Sequence, residues 1–168
     1  TDPSQVQDVE SKRMVTVLKK LGYSDKHCWK LVQRVSRDNA RTPMQWDGSR
    51  EAGFTMGTPW LKVNDGYKSV NAAAEEADES SVLWYYRRLI AFRKDSPALL
   101  YGSYKQSFQY GSCFGFERRY RGKALGIVVN LSDKKSAVPA VGKVIFGNST
   151  RKLLDCELEP WEALILER

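Results

Sequence analysis

The residues most able to do chemistry in this 168-residue sequence are four acidic side chains in one irregular segment, residues 36–77. Asp38, Asp47, Glu51 and Asp65 lie there among frequent Gly, Pro and Asn residues. A carboxylate in such a segment can serve as a general acid or as a nucleophile. It can equally accept hydrogen bonds from nearby backbone N–H groups, which is the usual role of acids in loops. We expect the second role for each of the four.

Histidine and cysteine chemistry is restricted by number and spacing. The single histidine, His27, excludes a site built from several histidines, and its place near a helix start favours an exposed or capping role. The three cysteines are odd in number and widely spaced, so we expect neither a disulfide framework nor a zinc site. Cys28 lies on an apolar helix face and is expected to be a small buried hydrophobe. We therefore expect no metal, no cofactor and a reducing compartment.

Helices are predicted in the first half of the chain on either side of the irregular segment. Apolar residues at helical spacing predict a helix pair, with Gly22 ending the first helix and Ser24 capping the second. The two apolar faces are Met14, Val17, Leu18 and Leu21, and then Cys28, Leu31, Val32 and Val35. About 40 residues without periodicity follow, which is too long for an idle connector and indicates a functional loop.

A strong amphipathic helix is predicted over residues 81–94, capped by Asp78 or Ser80 and ended by Pro97. Its apolar face is Val82, Leu83, Tyr86, Leu89 and Ile90. The rest of the chain alternates like β-structure, with turn signals between short strands. The predicted strands are 107–110, 113–117, 124–130, 143–146, 151–156 and 163–167. Such strands indicate an antiparallel sandwich or barrel, with a domain boundary near residues 96–97.

The net charge of +7 lies entirely in the second half of the chain. Residues 1–80 carry 12 Lys and Arg against 12 Asp and Glu, whereas residues 81–168 carry 15 against 8. A basic half is compatible with nucleic acid or an anionic membrane. The basic residues come in short bursts between apolar ones, which favours ordinary solvated surface. We expect no nucleic-acid partner, and no membrane partner because no apolar stretch approaches the length of a span.

The most informative segment is residues 36–47, which reads SRDNARTPMQWD. It resembles the arginine-rich loop of the α-glucosidases in the α-amylase superfamily (glycoside hydrolase family 13), in the group of oligo-1,6-glucosidase, dextran glucosidase and trehalose-6-phosphate hydrolase. Further segments resemble this group in the same order along the chain. They are residues 8–11, 52–55, 59–60, 63–64, 81–94, 100–104, 130–132 and 158–163.

The resemblance implies an α+β fragment. Residues 1–96 would be the C-terminal helices and loop of a (β/α)8 barrel, and residues 97–168 an antiparallel all-β sandwich. In this family the catalytic carboxylates lie on earlier barrel strands, so we expect no catalytic residue in this chain. The chain corresponds to roughly the last third of such an enzyme and is expected to be inactive alone. The alternative is a non-enzymatic β-sandwich module that binds carbohydrate or a protein partner.

The resemblance also assigns roles within the loop. Arg37 aligns with the family arginine that pairs with an early barrel aspartate and closes the non-reducing end of the glucose pocket, so it would contact an oligosaccharide substrate. Without that aspartate we expect Arg37 to be free or paired elsewhere. Asp38, Asn39 and Arg41 are expected to be loop scaffold. The implied activity is exo-acting retaining hydrolysis of α-1,6 or α-1,4 glucosidic bonds.

Three further expectations concern surfaces and location. Trp46 and Trp60 can either stack on sugar rings or pin the loop onto a core, and we favour pinning. The apolar face of helix 81–94 would lose its barrel partner, so we expect it to be hidden by self-association or rearrangement. The sequence opens without a basic-then-apolar leader, and we expect a cytoplasmic location.

Overall fold

The computed structural model describes residues 6–168. The chain divides into two compact units, Thr1–Leu83 and Trp84–Arg168, which are described separately. The boundary predicted at residues 96–97 stays a prediction. No helix among the described residues has the length and apolar content needed to cross a membrane.

The predicted helix pair opens the first unit as α1 (Val9–Lys20) and α2 (Asp25–Val35). Ser24 caps α2 by accepting the backbone N–H of His27, as predicted, and Gly22 lies between the helices with φ of 84°. Cys28 is fully buried, which confirms its expected packing role, whereas His27 is exposed and stacks on Tyr23. The predicted face of α1 is only partly covered, because Val17 and Leu21 remain exposed within this unit.

The irregular segment 36–77 contains three short 3-10 turns, Arg37–Ala40, Arg50–Gly53 and Asp65–Lys68. It then forms a short helix, α3 (Ala72–Ala77), which the sequence did not indicate because alanines and glutamates carry no apolar periodicity. Buried residues Ala52, Leu61 and Val63 give the segment its own packing.

Helix α4 (Val82–Lys94) forms close to its predicted bounds. The carboxylate of Glu75, rather than that of Asp78, accepts the backbone N–H of Leu83 in its first turn, at 3.2 Å. Asp78 instead accepts hydrogen bonds from Ser80. Pro97 does follow the end of α4, but it also begins a further short helix, α5 (Pro97–Tyr101), because proline suits the first turn of a helix.

The second unit is built on an antiparallel six-stranded sheet in the order β1-β2-β3-β6-β4-β5. The strands are β1 (Ser103–Tyr110), β2 (Cys113–Tyr120), β3 (Lys123–Asn130), β4 (Ser136–Gly147), β5 (Leu153–Leu158) and β6 (Ala163–Glu167). All six predicted strands are present, and most are longer than the alternating patterns indicated.

The core of the second unit is one buried cluster of side chains from neighbouring strands. Strand β4 has register shifts between Ala137 and Val141 and between Val144 and Phe146, so its two halves face different neighbours. The core side chains come from both ends of the sheet order and meet in one cluster: Cys113, Val128, Val138, Ala140, Val144, Leu154, Leu158, Leu164 and Leu166. The predicted antiparallel β-structure is thus confirmed as one six-stranded sheet with a common core, and its arrangement as a two-layered sandwich stays a prediction.

Candidate functional site

Arg37 is paired with Asp8 in the first unit. Its Nε donates to Oδ1 of Asp8 at 2.9 Å, and its Nη2 lies 2.7 Å from the same oxygen. Glu10 is a more distant neighbour, 3.8 Å from Nη2. The Asp8 side chain is only 4% exposed, whereas the Arg37 side chain is 49% exposed. Of the two predicted states of Arg37, free or paired elsewhere, the structure shows the second, and much of the guanidinium still faces solvent.

Asp8 also begins the helix α1 that precedes the loop. Its Oδ2 accepts the backbone N–H of Ser11 at 3.1 Å and the Ser11 hydroxyl at 2.7 Å. These bonds, with the Arg37 guanidinium, hold the pKa of Asp8 down at about 2, against the opposing effect of desolvation. The same pairing raises the pKa of Arg37. Each group therefore stabilises the charged form of the other.

Asp38 binds the chain just before α1. Its Oδ2 accepts the backbone N–H groups of Gln7 at 2.8 Å and of Asp8 at 3.0 Å. The arrangement is reciprocal, because Asp8 binds the Arg37 side chain while Asp38 binds the Asp8 backbone. Two adjacent loop residues thus fasten the loop to the start of α1, across about 30 positions of sequence. The other oxygen, Oδ1, is buried and has no hydrogen-bond partner among the described residues.

The remaining predicted scaffold residues differ in their contacts. Asn39 donates from Nδ2 to the carbonyl of Gln33 at 2.9 Å, which ties the turn back to the end of α2. Arg41 is exposed, and its backbone N–H donates to the carbonyl of Asp38 at 3.0 Å. The scaffold role assigned to these residues stays a prediction.

The other loop acids make local contacts. Asp47 accepts the N–H of Ser49 at 2.8 Å and also its hydroxyl, and these bonds lower its pKa. Asp65 pairs with Lys62 at 2.6 Å, with both side chains well exposed. Glu51 is partly exposed. No group of three or more His, Cys, Asp or Glu in the described part of the chain is placed to hold a metal ion.

A strained turn follows the tryptophan of the loop. Glu51 and Ala52 have φ of 51° and 55°, in the left-handed region that non-glycine residues avoid, and Gly53 continues at 65°. The carbonyl of Ala52 accepts the backbone N–H of Trp46 at 2.9 Å, which closes the turn. The Trp46 side chain remains 53% exposed and that of Trp60 58%. Both rings are thus only partly covered in this chain, and the favoured interpretation that they pin the loop onto a core stays a prediction.

A cavity of about 630 Å³ adjoins the loop. Its walls come from α2, the turn after it and the segment 61–65. The lining residues include Trp29, Val32, Asp38, Thr42, Leu61 and Asn64. The lining combines an aromatic ring and aliphatic groups with polar and charged side chains, among them Asp38, Lys62 and Asp65.

Comparison with known families decides the relationship. Residues 6–102 match the model of the alpha-amylase catalytic domain. The chain belongs to the alpha-amylase family. The match covers all of α1 to α5, including the Arg37 loop, so the resemblance seen in residues 36–47 is confirmed.

Individual relatives come from the same enzyme group. The oligo-1,6-glucosidase of Halalkalibacterium halodurans is 33% identical over 92% of this chain and 28% of its own length. The glucan 1,6-alpha-glucosidase of Streptococcus pneumoniae is 31% identical over 97% of this chain and 31% of its own. The crystal structure of trehalose-6-phosphate hydrolase from Bacillus licheniformis matches 99% of this chain and 32% of its own with a TM-score of 0.87 and 29% identity.

The chain spans about a third of the length of the relatives it matches. The fold and the family are therefore established for this portion alone. The residue that sequence reasoning missed is Asp8, which was used only as a landmark. Its capping role could be read from an acid three residues before Ser11 at a helix start, but its pairing with Arg37 has no local signal.

Proposed function

We propose that this chain is the C-terminal part of an exo-acting, retaining α-glucosidase that hydrolyses α-1,6 or α-1,4 glucosidic bonds of short oligosaccharides. The relatives named for glycoside hydrolysis support a glycoside hydrolase parent. The observation that carries the finer proposal is the Arg37 loop. It presents a half-exposed guanidinium on a fixed backbone, which is what a closed, sugar-binding pocket end requires.

The chemistry of this site follows from the donors that remain. Arg37 uses Nε and Nη2 on one oxygen of Asp8, which leaves Nη1 without a partner among the described residues. A guanidinium held in this way offers its remaining N–H groups to sugar hydroxyls in a fixed orientation. It cannot act as a general acid, because its pKa is raised further by the Asp8 carboxylate. We infer that Arg37 binds and orients the terminal glucose and takes no part in proton transfer.

The proposal includes inactivity of this chain alone. Retaining hydrolysis needs two carboxyl groups about 5–5.5 Å apart on either side of the scissile bond. In the first unit, Asp38, Asp47 and Asp65 are each engaged with backbone N–H groups, a serine or a lysine. These contacts support the interpretation that the loop acids are structural and that the catalytic pair is supplied elsewhere in the parent.

The test is complementation with the missing portion of a relative. The H. halodurans oligo-1,6-glucosidase, truncated before the region aligned with this chain, would be refolded with this chain and assayed on a chromogenic α-glucoside. We expect hydrolysis only when both pieces are present. Arg37→Ala should lower kcat/KM by about 10²-fold or more through lost substrate positioning, and Arg41→Ala, in the same loop, should change it little. Full activity of Arg37→Ala, or hydrolysis by this chain alone, would contradict the proposal.

A further inference from the structure

Trp161 occupies a turn position that disfavours tryptophan. The turn Glu159–Glu162 is closed by the N–H of Glu162, which donates to the carbonyl of Glu159 at 3.2 Å. Pro160 is the second residue, and Trp161, the third, has φ of 56°. With proline at the second position and positive φ at the third, glycine or asparagine is the favoured third residue. A bulky aromatic residue there is a backbone outlier, and such outliers cluster at functional sites.

The surrounding structure holds this conformation from two sides. The backbone N–H of Trp161 donates to the carbonyl of Ser132 at 3.0 Å, and its carbonyl accepts from Nδ2 of Asn148 at 2.8 Å. The next residue, Glu162, is buried and accepts the N–H of Glu159 at 2.9 Å. Both backbone polar groups of Trp161 are therefore fixed by neighbouring loops, and the base of its side chain is held in place.

Although the Trp161 backbone is fixed, its indole has no polar or aromatic partner in the described part of the second unit. Its residue is 60% exposed, and the described part of the chain shows no hydrogen bond, ring contact or cation contact to the indole. Phe146, in the same unit, is a contrast, because its ring lies 5.7 Å from that of Tyr85 and 5.1 Å from that of Phe92. Trp161 thus adopts a strained backbone conformation while most of the residue stays exposed, which points to a role outside the unit.

The surroundings of the turn suit a neutral ligand. Glu159 is paired with Lys135 at 2.7 Å, and Glu162 with Arg151 at 3.3 Å, so the acids on either side of Trp161 are neutralised. A flat ring with an N–H at its edge, on a fixed backbone and without a net charge from these neighbouring acids, matches the apolar face and hydroxyl rim of a pyranose.

We propose that Trp161 is the stacking platform of a carbohydrate-binding surface site on the β-domain, and that its ligand is a neutral α-linked glucose oligosaccharide. The ligand class rests on the proposed function, whereas the existence of a stacking site rests on the turn. The site belongs to the second unit and uses none of the residues of the Arg37 loop. It would hold substrate at the surface of the protein without contributing to bond cleavage.

The experiment titrates this chain with isomaltotriose and maltotriose while the indole N–H resonances are followed by NMR. We expect the Trp161 resonance to shift and saturate. The variants lack this resonance, so their affinities are measured by titration calorimetry. Trp161→Phe, which keeps a flat ring, should retain affinity within about threefold, whereas Trp161→Leu, which keeps only apolar volume, should lose at least about tenfold. Trp161→Asn should abolish binding without lowering Tm, because asparagine tolerates positive φ. A stationary Trp161 resonance, or wild-type affinity of Trp161→Leu, would overturn the proposal.

Two controls distinguish the Trp161 site from the Arg37 loop and from a contact with another protein segment. Arg41→Ala should bind both trisaccharides like the wild type. Because the titration uses this chain without the complementing portion, a failed complementation assay leaves the Trp161 result interpretable by itself. The alternative occupant is a protein segment. The iodide quenching that is lost in Trp161→Phe isolates the Trp161 contribution from the other tryptophans. If addition of the complementing N-terminal portion removes this contribution and blocks the trisaccharide titration, then the surface is a protein contact and the carbohydrate site is refuted.

Discussion

Replacing Glu162 by glutamine should strongly destabilise the β-domain, although the two side chains have nearly the same shape. The Glu162 side chain is 2% exposed and each of its oxygens is used. Oε2 accepts the N–H of Glu159 at 2.9 Å, and Oε1 accepts the hydroxyl of Ser149 at 2.6 Å while facing Nε of Arg151 at 3.3 Å. All of these partners are donors, and only a carboxylate accepts from all of them.

The magnitude follows from the donors that glutamine cannot satisfy. Its amide has one oxygen, so its NH2 group must face either the Glu159 N–H or the Ser149 and Arg151 donors. A buried donor left without an acceptor costs about 1–3 kcal/mol. Arg151 also loses its buried partner, but its side chain is 21% exposed and two other acids lie within 3.8 Å, so this loss is smaller than for a fully buried pair. Together these effects predict a loss of about 2–4 kcal/mol.

The assay is guanidinium and thermal unfolding of Glu162→Gln, followed by near-ultraviolet circular dichroism. For a unit the size of Trp84–Arg168, a loss in this range lowers Tm by about 10–25 °C. Glu157→Gln is the matched control, because Glu157 is 56% exposed and lies 3.8 Å from Lys135, so its loss should stay below about 0.5 kcal/mol. If Glu162→Gln unfolds within 0.5 kcal/mol of the wild type, the assignment of Glu162 as a buried anchor is incorrect.

Three other predictions follow from local contacts. Gly102→Ala should lower the free energy of unfolding by about 2–4 kcal/mol, because the added Cβ would lie 2.2 Å from the backbone oxygen of Ala98, which cannot move without losing hydrogen bonds. Gly111→Ala has open space around the added Cβ but a φ of 56°, so it should lower that free energy by only about 1 kcal/mol. Denaturant unfolding measures both. Asp8→Asn should remove a part of the stability that is sensitive to acid. The pKa of Asp8 in the folded protein is about 2, below its ordinary 3.8, so its stabilising effect is complete above about pH 4 and is lost as the pH falls towards 2. Urea unfolding midpoints of both proteins across this pH range measure the difference. Tyr86 is 57% exposed on α4, and we expect Tyr86→Glu to weaken concentration-dependent self-association in sedimentation; identical sedimentation of both proteins at every concentration would refute this.

Helices and strands could be predicted where residues close in the sequence determine where they start and end. Strand β6 was predicted to the residue, because its continuous apolar run Ala163–Leu166 directly follows the turn at Pro160. Helix α5 was missed because Pro97 was read only as the end of α4, although proline is equally suited to start a helix. Helix α3 lacks apolar periodicity altogether, and its start is instead defined by the Asn71 side chain, which accepts the N–H of Ala74.

The residues of the candidate sites were likewise predictable from local patterns, whereas partners distant in sequence were not. The loop of Arg37 was found because its twelve-residue pattern is specific to one enzyme group. Its partner Asp8 lies 29 positions earlier, and no local rule pairs an acid at a helix start with that arginine. Residues 158–163 were identified only as a family landmark. Pro160 predicts a turn there, but tryptophan does not predict positive φ, so the strain at Trp161 became visible only in the structure.

Two loops of this chain are held by the same physical device. Under the Arg37 loop, Asp8 is 4% exposed and is bonded to a backbone N–H, a serine hydroxyl and an arginine. Under the Trp161 turn, Glu162 is 2% exposed and is bonded to the same three kinds of donor. A buried carboxylate is tolerated only when it is fully hydrogen-bonded, so its partners have one acceptable arrangement. In the first unit, the buried acid fixes the exposed Arg37 guanidinium directly. In the second unit, it fixes the backbone of the turn from which the exposed Trp161 indole projects. Substituting the acid should therefore disturb ligand contacts that the acid itself never makes.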